Sequence, residues 1–145
     1  MTWQTEFLGF KGRMARGRYW LTTLVLTVLI IAVVMLTSFL PDLLGWPLSD
    51  EAILVVFVVL SLVSIFPMVA VSTKRLHDRN KTGWWLAAMY VPPVISEVSL
   101  GETPESSFIS LVFTLWALIE LGFLRGTAGP NRFGVDPLAP QTERQ

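Results

Sequence analysis

Residues 20–40 read WLTTLVLTVLIIAVVMLTSFL, 21 consecutive residues without a charge. An α-helix needs about 20 apolar residues to cross the hydrocarbon core of a bilayer. Residues 52–72, AILVVFVVLSLVSIFPMVAVS, form a second uncharged run of 21. Both are predicted to be membrane-crossing helices. Two further runs follow. Residues 84–100 are shorter and carry Pro92, Pro93 and Glu97, whereas residues 106–124 have spanning length but include Glu120. All four are read as transmembrane, which makes the chain an all-α, polytopic integral membrane protein with four helices in an antiparallel bundle. Composition agrees: 52% of the 145 residues are hydrophobic and 15% charged, and the mean hydropathy is +0.58. Those values exclude an ordinary soluble domain.

The placement of charge tests this reading independently, because it played no part in choosing the runs. All eleven Lys and Arg fall in three places: Lys11, Arg13, Arg16 and Arg18 before the first run; Lys74, Arg75, Arg79 and Lys81 after the second; Arg125, Arg132 and Arg144 after the fourth. Residues 41–51 and 97–105 contain no Lys or Arg and hold six of the eleven acids. Alternate connections are therefore basic. Under the positive-inside rule both termini and the 74–85 loop face the cytoplasm, and the two acidic hairpin loops face outward. A formal net charge of zero hides this asymmetry.

The basic N-terminal flank followed by an apolar run has the outline of a signal peptide, but a secretory apolar region is about 7–15 residues long and ends at a small-residue cleavage site. Here the run is 21 residues long and meets Pro41 and Asp42. The chain is expected to stay uncleaved and anchored. The absence of cysteine excludes disulfides, thiol nucleophiles, Cys-based metal sites and prenyl or palmitoyl anchors. There is no internal repeat, low-complexity tract or separate soluble domain. One membrane domain uses residues 1–145: an interfacial segment over 1–19, spans over 20–40, 52–72, 84–100 and 106–124, and a cytoplasmic tail over 125–145.

Ahead of the first span, Trp3, Phe7, Phe10 and Met14 recur at helical spacing, which puts apolar groups on one face. Gly9, Gly12 and Gly17 interrupt the same stretch, and each costs roughly 1 kcal/mol against alanine inside a helix. A broken or bent stretch on the membrane surface is expected, with Tyr19 and Trp20 at the interface.

Three segments stand out from this apolar background: GRMARGRYW (residues 12–20), KRLHDRNKTGWW (74–85) and GTAGPNRFGVDP (126–137). In that order, and over nearly the whole chain, they resemble the three signature blocks of the bacterial domain of unknown function 805 family. The resemblance is carried by Gly12, Arg13, Arg16, Tyr19 and Trp20; by Arg75, Leu76, His77, Asp78, Gly83 and Trp84; and by Asn131, Arg132, Gly134, Asp136 and Pro137. It implies a small bacterial inner-membrane protein of unestablished activity. Asn80 stands where the family usually has glycine, and asparagine also tolerates a left-handed backbone.

The charge pattern alone delivers all three blocks to one membrane face, where they are expected to form a cap. Arg13, Arg16, Arg75 and Arg132, with His77, Asp78, Asn131 and Asp136, are candidates either for an anion or lipid-headgroup site or for a structural network. Guanidinium forks suit phosphate or carboxylate, but basic residues at cytoplasmic helix ends commonly do no more than set orientation and attract anionic lipid. For Arg13 and Arg75 a buried partner such as Asp78 or Asp136 is the stronger expectation. His77 beside Asp78 suggests catalysis, yet neighbours on a helix diverge by about 100° and cannot face one another. Pairing of Asp78 with Arg75 at i,i+3 is the simpler reading. No catalytic, metal or cofactor residues are assigned, and no nucleic-acid partner is expected.

Glu120 is the one acid well inside a span of full length, and intramembrane ionisable residues are functional candidates. It lies five residues before Arg125, roughly 7 Å of helix rise, so pairing with a basic loop competes with an ion path. Pro92 and Pro93 are expected to interrupt the third helix. The first functional expectation is a non-enzymatic membrane protein whose basic cap binds anionic lipid or a protein partner, with homo-oligomers open. A small transporter or channel using Glu120 and the Pro92–Pro93 kink is the alternative. An enzyme acting on a phosphorylated lipid comes third.

Overall fold

The structure, a computed structural model, describes residues 9–45 and 49–140. Four α-helices account for most of it: α1 (Arg16–Leu43, 28 residues), α2 (Asp50–Asp78, 29 residues), α3 (Trp84–Leu100, 17 residues) and α4 (Pro104–Leu118, 15 residues). The last runs on into a π-helical turn, Ile119–Phe123. Among the described residues the only β pairing is a single bridge between Asn131 and Gly134. The protein is all-α.

Local chemistry sets the helix ends. Ser49 caps α2 by accepting the Ala52 amide at 3.3 Å, and Asp50 and Glu51 occupy the first turn, where negative charge complements the helix dipole. Thr103 and Ser106 form a reciprocal capping box at α4, with Pro104 in the first turn, where its missing N–H costs nothing. The end of α2 is followed by Asn80 at φ 58°, the left-handed conformation that asparagine tolerates.

The helices form two hairpins, α1 with α2 and α3 with α4, and the hairpins meet through the π-helical turn and the start of α3. The apolar core sits at that end, where Met14, Tyr19, Val71, Leu76, Leu86, Met89, Ala117 and Leu121 pack together. Away from it the helices present large apolar side chains outward along most of their length. Among the described residues, three segments are long and apolar enough to cross a membrane: Arg16–Phe39, Asp50–Asp78 and Pro104–Phe123. With 17 residues, α3 is about 25 Å long.

Two sequence expectations need correction. Pro92 and Pro93 do not interrupt the third helix, which continues through both. Proline lacks the amide donor but its fixed φ is itself helical, and α3 packs against α4. The fourth run is not one α-helix to its end, because the ladder shifts register at Ile119 and the Leu124 amide reaches the Ile119 carbonyl at 3.1 Å. Before α1, the chain is broken as expected around Gly12: residues 9–15 are not helical. Gly12, at φ 94°, turns this segment so that Met14 N donates to Lys74 O at 3.1 Å and the Phe10 ring stands edge-on to Phe66 at 5.4 Å. Of the apolar face expected there, Trp3 and Phe7 lie outside the described residues.

Candidate functional site

At the shared end of the hairpins the three motif segments converge on one carboxylate. Asp78 is the last residue of α2 and is buried. From the segment before α1, Arg13 donates through Nε to Asp78 Oδ1 at 3.1 Å and places Nη2 at 3.0 Å from the same oxygen. One turn back on α2, Arg75 Nη1 lies 2.5 Å from Asp78 Oδ2. The side chains of Arg13 and Arg75 are 1% and 0% exposed.

The other guanidinium donors go to backbone carbonyls. Arg13 donates to Gly129 O at 2.6 Å and Gly134 O at 3.4 Å through Nη1, and to Thr127 O at 2.5 Å through Nη2. Arg75 donates to Leu121 O at 2.8 Å and Met14 O at 3.3 Å, and its Nη2 donates to Leu124 O. Leu121 and Leu124 stand at the end of the π-helical turn, whose carbonyls have no partner further along the helix. A guanidinium there satisfies them and opposes the helix dipole. Each arginine thus ties Asp78 to a different distant segment, and with a five-donor fork each has little left to offer a ligand.

The chain after the π-helical turn is sewn to the end of α2. The amide and hydroxyl of Thr127 donate to Asp78 O at 2.8 and 3.0 Å. Asn131 Nδ2 donates to His77 O and to Thr127 Oγ1, both at 2.9 Å, while its Oδ1 accepts the Phe133 amide at 2.9 Å. A Cβ on Gly126 would lie 1.9 Å from Asp78 Oδ2, so glycine is required for the loop to reach the carboxylate. Gly122 has a similar role. Its Cβ would meet the Trp20 ring at 2.6 Å, and its carbonyl accepts the Trp20 indole N–H at 3.0 Å.

His77 and Asp78 face different partners. The His77 ring stacks on Phe133 with centroids 3.8 Å apart, and its Nδ1 lies 3.1 Å from Gly12 O. A carbonyl only accepts, so Nδ1 carries the proton. Arg132 is exposed, donates to Asn80 O at 2.9 Å and lies over the Phe133 ring. Asp136 accepts the Leu138 amide at 2.9 Å and the Gly129 amide at 3.0 Å. The Leu138 bond, followed by the Gly129 bond and the charges of Arg13 and Arg125, holds this carboxyl below its ordinary range against a smaller opposing effect of burial. Arg16 opens α1, is exposed, and shares a cleft of about 310 Å³ with Arg125, Gly126 and Thr127.

Glu120 forms a second buried cluster. Its Oε1 lies 2.8 Å from Arg79 Nε and 2.6 Å from Lys81 Nζ, both in the turn after α2. These are ion pairs by distance, but neither meets the oxygen in a hydrogen-bonding direction. The Lys81 ammonium also lies over Trp85, 4.5 Å from the ring centroid. The sequence offers no sign of the π-helical turn, of the stacking of His77 on Phe133, or of the carbonyls that Arg13 and Arg75 engage. It does contain the glycines at 122 and 126 that allow the close approaches.

Residues 7–135 match the family described as "Protein of unknown function (DUF805)". The chain belongs to the DUF805 family. Among relatives of this DUF805 protein, "Inner membrane protein YhaH" of Escherichia coli K12 is 31% identical over 133 residues, covering 91% of this chain and 89% of that one. "Inner membrane protein YhaI" of the same strain is 29% identical over 135 residues, covering 91% and 88%. "Uncharacterized protein YiiR" is 30% identical over 142 residues, covering 94% and 90%. No solved structure matches. With its long apolar helices, this DUF805 chain is a multi-pass helical membrane protein.

Proposed function

We propose that this DUF805 chain is a non-enzymatic, four-span protein of the bacterial inner membrane. Both termini and the 74–85 loop lie in the cytoplasm, the Asp78 cluster locks the cytoplasmic end of the two hairpins, and exposed cations around the lock hold anionic lipid headgroups. The inner-membrane names of YhaH and YhaI and the alternating distribution of Lys and Arg support the location and orientation.

The observation that carries the reading is the use of the guanidinium donors. Arg13 and Arg75 are committed to Asp78 and to backbone carbonyls, which supports a structural network for the buried motif residues. Anion binding then falls to the exposed cations, of which Arg16 and Arg125 share one cleft. Transport is less well supported, because Glu120 is paired with Arg79 and Lys81 and α3 is continuous through its prolines.

The test is lipid retention by purified protein, read by native mass spectrometry. The Arg16→Gln, Arg125→Gln double variant is expected to keep the wild-type melting temperature and to lose anionic lipid in moderate salt. Arg13→Gln is expected to lose the fold instead. A wild-type protein carrying no more anionic lipid than the folded double variant removes the lipid role and leaves orientation as the task of these cations.

A further inference from the structure

The two hairpins are pinned to each other at the lock and end unlevel at the opposite side of the membrane. Contacts at the lock pin both limbs of the second hairpin. A Cβ on Gly83, one residue before α3, would stand 3.0 Å from Thr73 Cγ2, so α3 begins at the height of Thr73 on α2. The far end of α4 is tied by Arg75 to Leu121 O and Leu124 O and by Trp20 to Gly122 O. With both limbs fixed there, the reach of the hairpin is set by its residue count.

From Gly83, the 17 residues of α3 rise about 25 Å. The same number of places along α2 from Thr73 leads to Val56, whereas the uncharged run of α2 continues to Ala52. The last residue of α3, Leu100, therefore stops about 6 Å short of the end of that run, and Glu97 about 10 Å short. Tilting α3 only lowers its tip further.

The tip is polar where its neighbour is still apolar. Glu97 is exposed and accepts the Ser110 hydroxyl at 2.9 Å. A recess of about 570 Å³ opens there, with Glu97, Glu102, Ser106 and Ser107 on its walls. At the same height α2 presents Val58 and Val59 outward. Carboxylates at hydrocarbon depth are costly, and a bilayer responds to a short hydrophobic stretch by thinning.

We infer that the α3–α4 flank holds a locally thinned patch of the leaflet opposite the lock, in which water and lipid headgroups descend to Glu97 and Glu102. This side of the molecule is an interaction surface for the headgroup zone, and the α1–α2 side is one for acyl chains. The inference rests on the four-span topology proposed above.

The chain contains no cysteine, so a single introduced cysteine reports one position. Val98 on α3 and Val58 on α2 stand at the same height and are 83% and 47% exposed. In nanodiscs holding the full chain, a charged, membrane-impermeant maleimide is expected to label Val98→Cys within about threefold of the Glu102→Cys rate. Val58→Cys is expected to react at least about tenfold more slowly, because hydrocarbon excludes water and the charged reagent. A Val98→Cys rate as low as that of Val58→Cys overturns the inference. Failure of the topology is read separately: in intact cells Glu102→Cys and Arg132→Cys are expected to label from opposite sides. Labelling from the same side removes the four-span reading whatever the nanodisc rates.

Discussion

The two halves of α2 reverse the arrangement familiar from water-soluble proteins. Residues 52–69 are apolar apart from two serines, and none of them is buried. Residues 70–78 carry Lys74, Arg75 and Asp78, and all but His77 are buried. The reason is the solvent. Lipid tails solvate leucine and valine as well as another helix does, so the first half gains little from protein contact. The serines there turn inward to their own helix, Ser61 donating to Phe57 O at 2.8 Å and Ser64 to Leu60 O at 2.6 Å. Charged groups at the membrane edge need dedicated partners, and the protein concentrates its specific contacts where they lie. The specific tertiary contacts are therefore concentrated in the polar segments of the chain.

The largest effect expected from this contrast comes from Asp78→Ala. Removing the carboxylate leaves Arg13 and Arg75 buried beside each other without a counter-charge, a loss of roughly 3–5 kcal/mol when one partner of a buried pair is deleted. Arg75→Ala should approach it, since Asp78 and the Leu121 and Leu124 carbonyls lose their donor together. Arg18→Ala, on an exposed side chain, should cost no more than about 1 kcal/mol. Melting temperatures in one detergent compare the three. Equal values would show that the Asp78 cluster does not hold the fold.

Apolar truncations sharpen the comparison within the same helix. Leu76 is 0% exposed and Leu62 is 64% exposed. Leu76→Ala is expected to cost roughly 2–5 kcal/mol through lost contacts and the cavity left behind. Leu62→Ala should leave the melting temperature nearly unchanged. If the two are equally destabilising, the outward face around Leu62 is covered by protein and not by lipid.

Glycines separate the regions on a smaller scale. Gly126→Ala places a methyl group against a carboxylate gripped by two guanidiniums, where neither side can yield easily, and should cost roughly 1–3 kcal/mol. Nothing lies within 4 Å of a Cβ on Gly17, in the first turn of α1, so Gly17→Ala should stabilise by about 0.4–1 kcal/mol through the unfolded chain. Thermal denaturation of the pair reads both signs.

The same contrast governs what is legible in the sequence. The crossing helices are visible because lipid demands long uncharged runs, and a run such as residues 52–72 has no other physical reading. Convergence of the three motif segments is visible because cations mark one face. The hub at Asp78 is only partly so. Its i,i+3 relation to Arg75 follows from helical spacing, but Arg13 is 65 residues away and engages carbonyls of Thr127 and Gly129. Every residue has a carbonyl, so an acceptor of that kind leaves no mark in the sequence. The continuity of α3 through Pro92 and Pro93 is hidden for a related reason, because packing against a neighbour outweighs a local preference.

The smallest effect expected is at Asp136, which shares its residue type with Asp78 but not its surroundings. Asp78 is held by buried side chains. Asp136 takes two backbone amides, Leu138 N at 2.9 Å and Gly129 N at 3.0 Å, in a loop open to water. These bonds favour the ionised form and hold its pKa below the ordinary value of 3.8. A depressed folded-state pKa contributes stability that is fully present above the unfolded value and is lost as pH falls through the folded one. At neutral pH the contribution is complete, and acidification should loosen the 129–138 loop only below the usual carboxylate range. Asp136→Asn removes the charge but keeps an oxygen acceptor. It should speed hydrogen exchange at the Gly129 and Leu138 amides at neutral pH, corrected for intrinsic rates, while the melting temperature stays at the wild-type value. A melting temperature lowered as far as that of Gly126→Ala would make Asp136 part of the lock, because only a group coupled to the Arg13–Asp78 pair could transmit the loss of one loop charge to the whole fold.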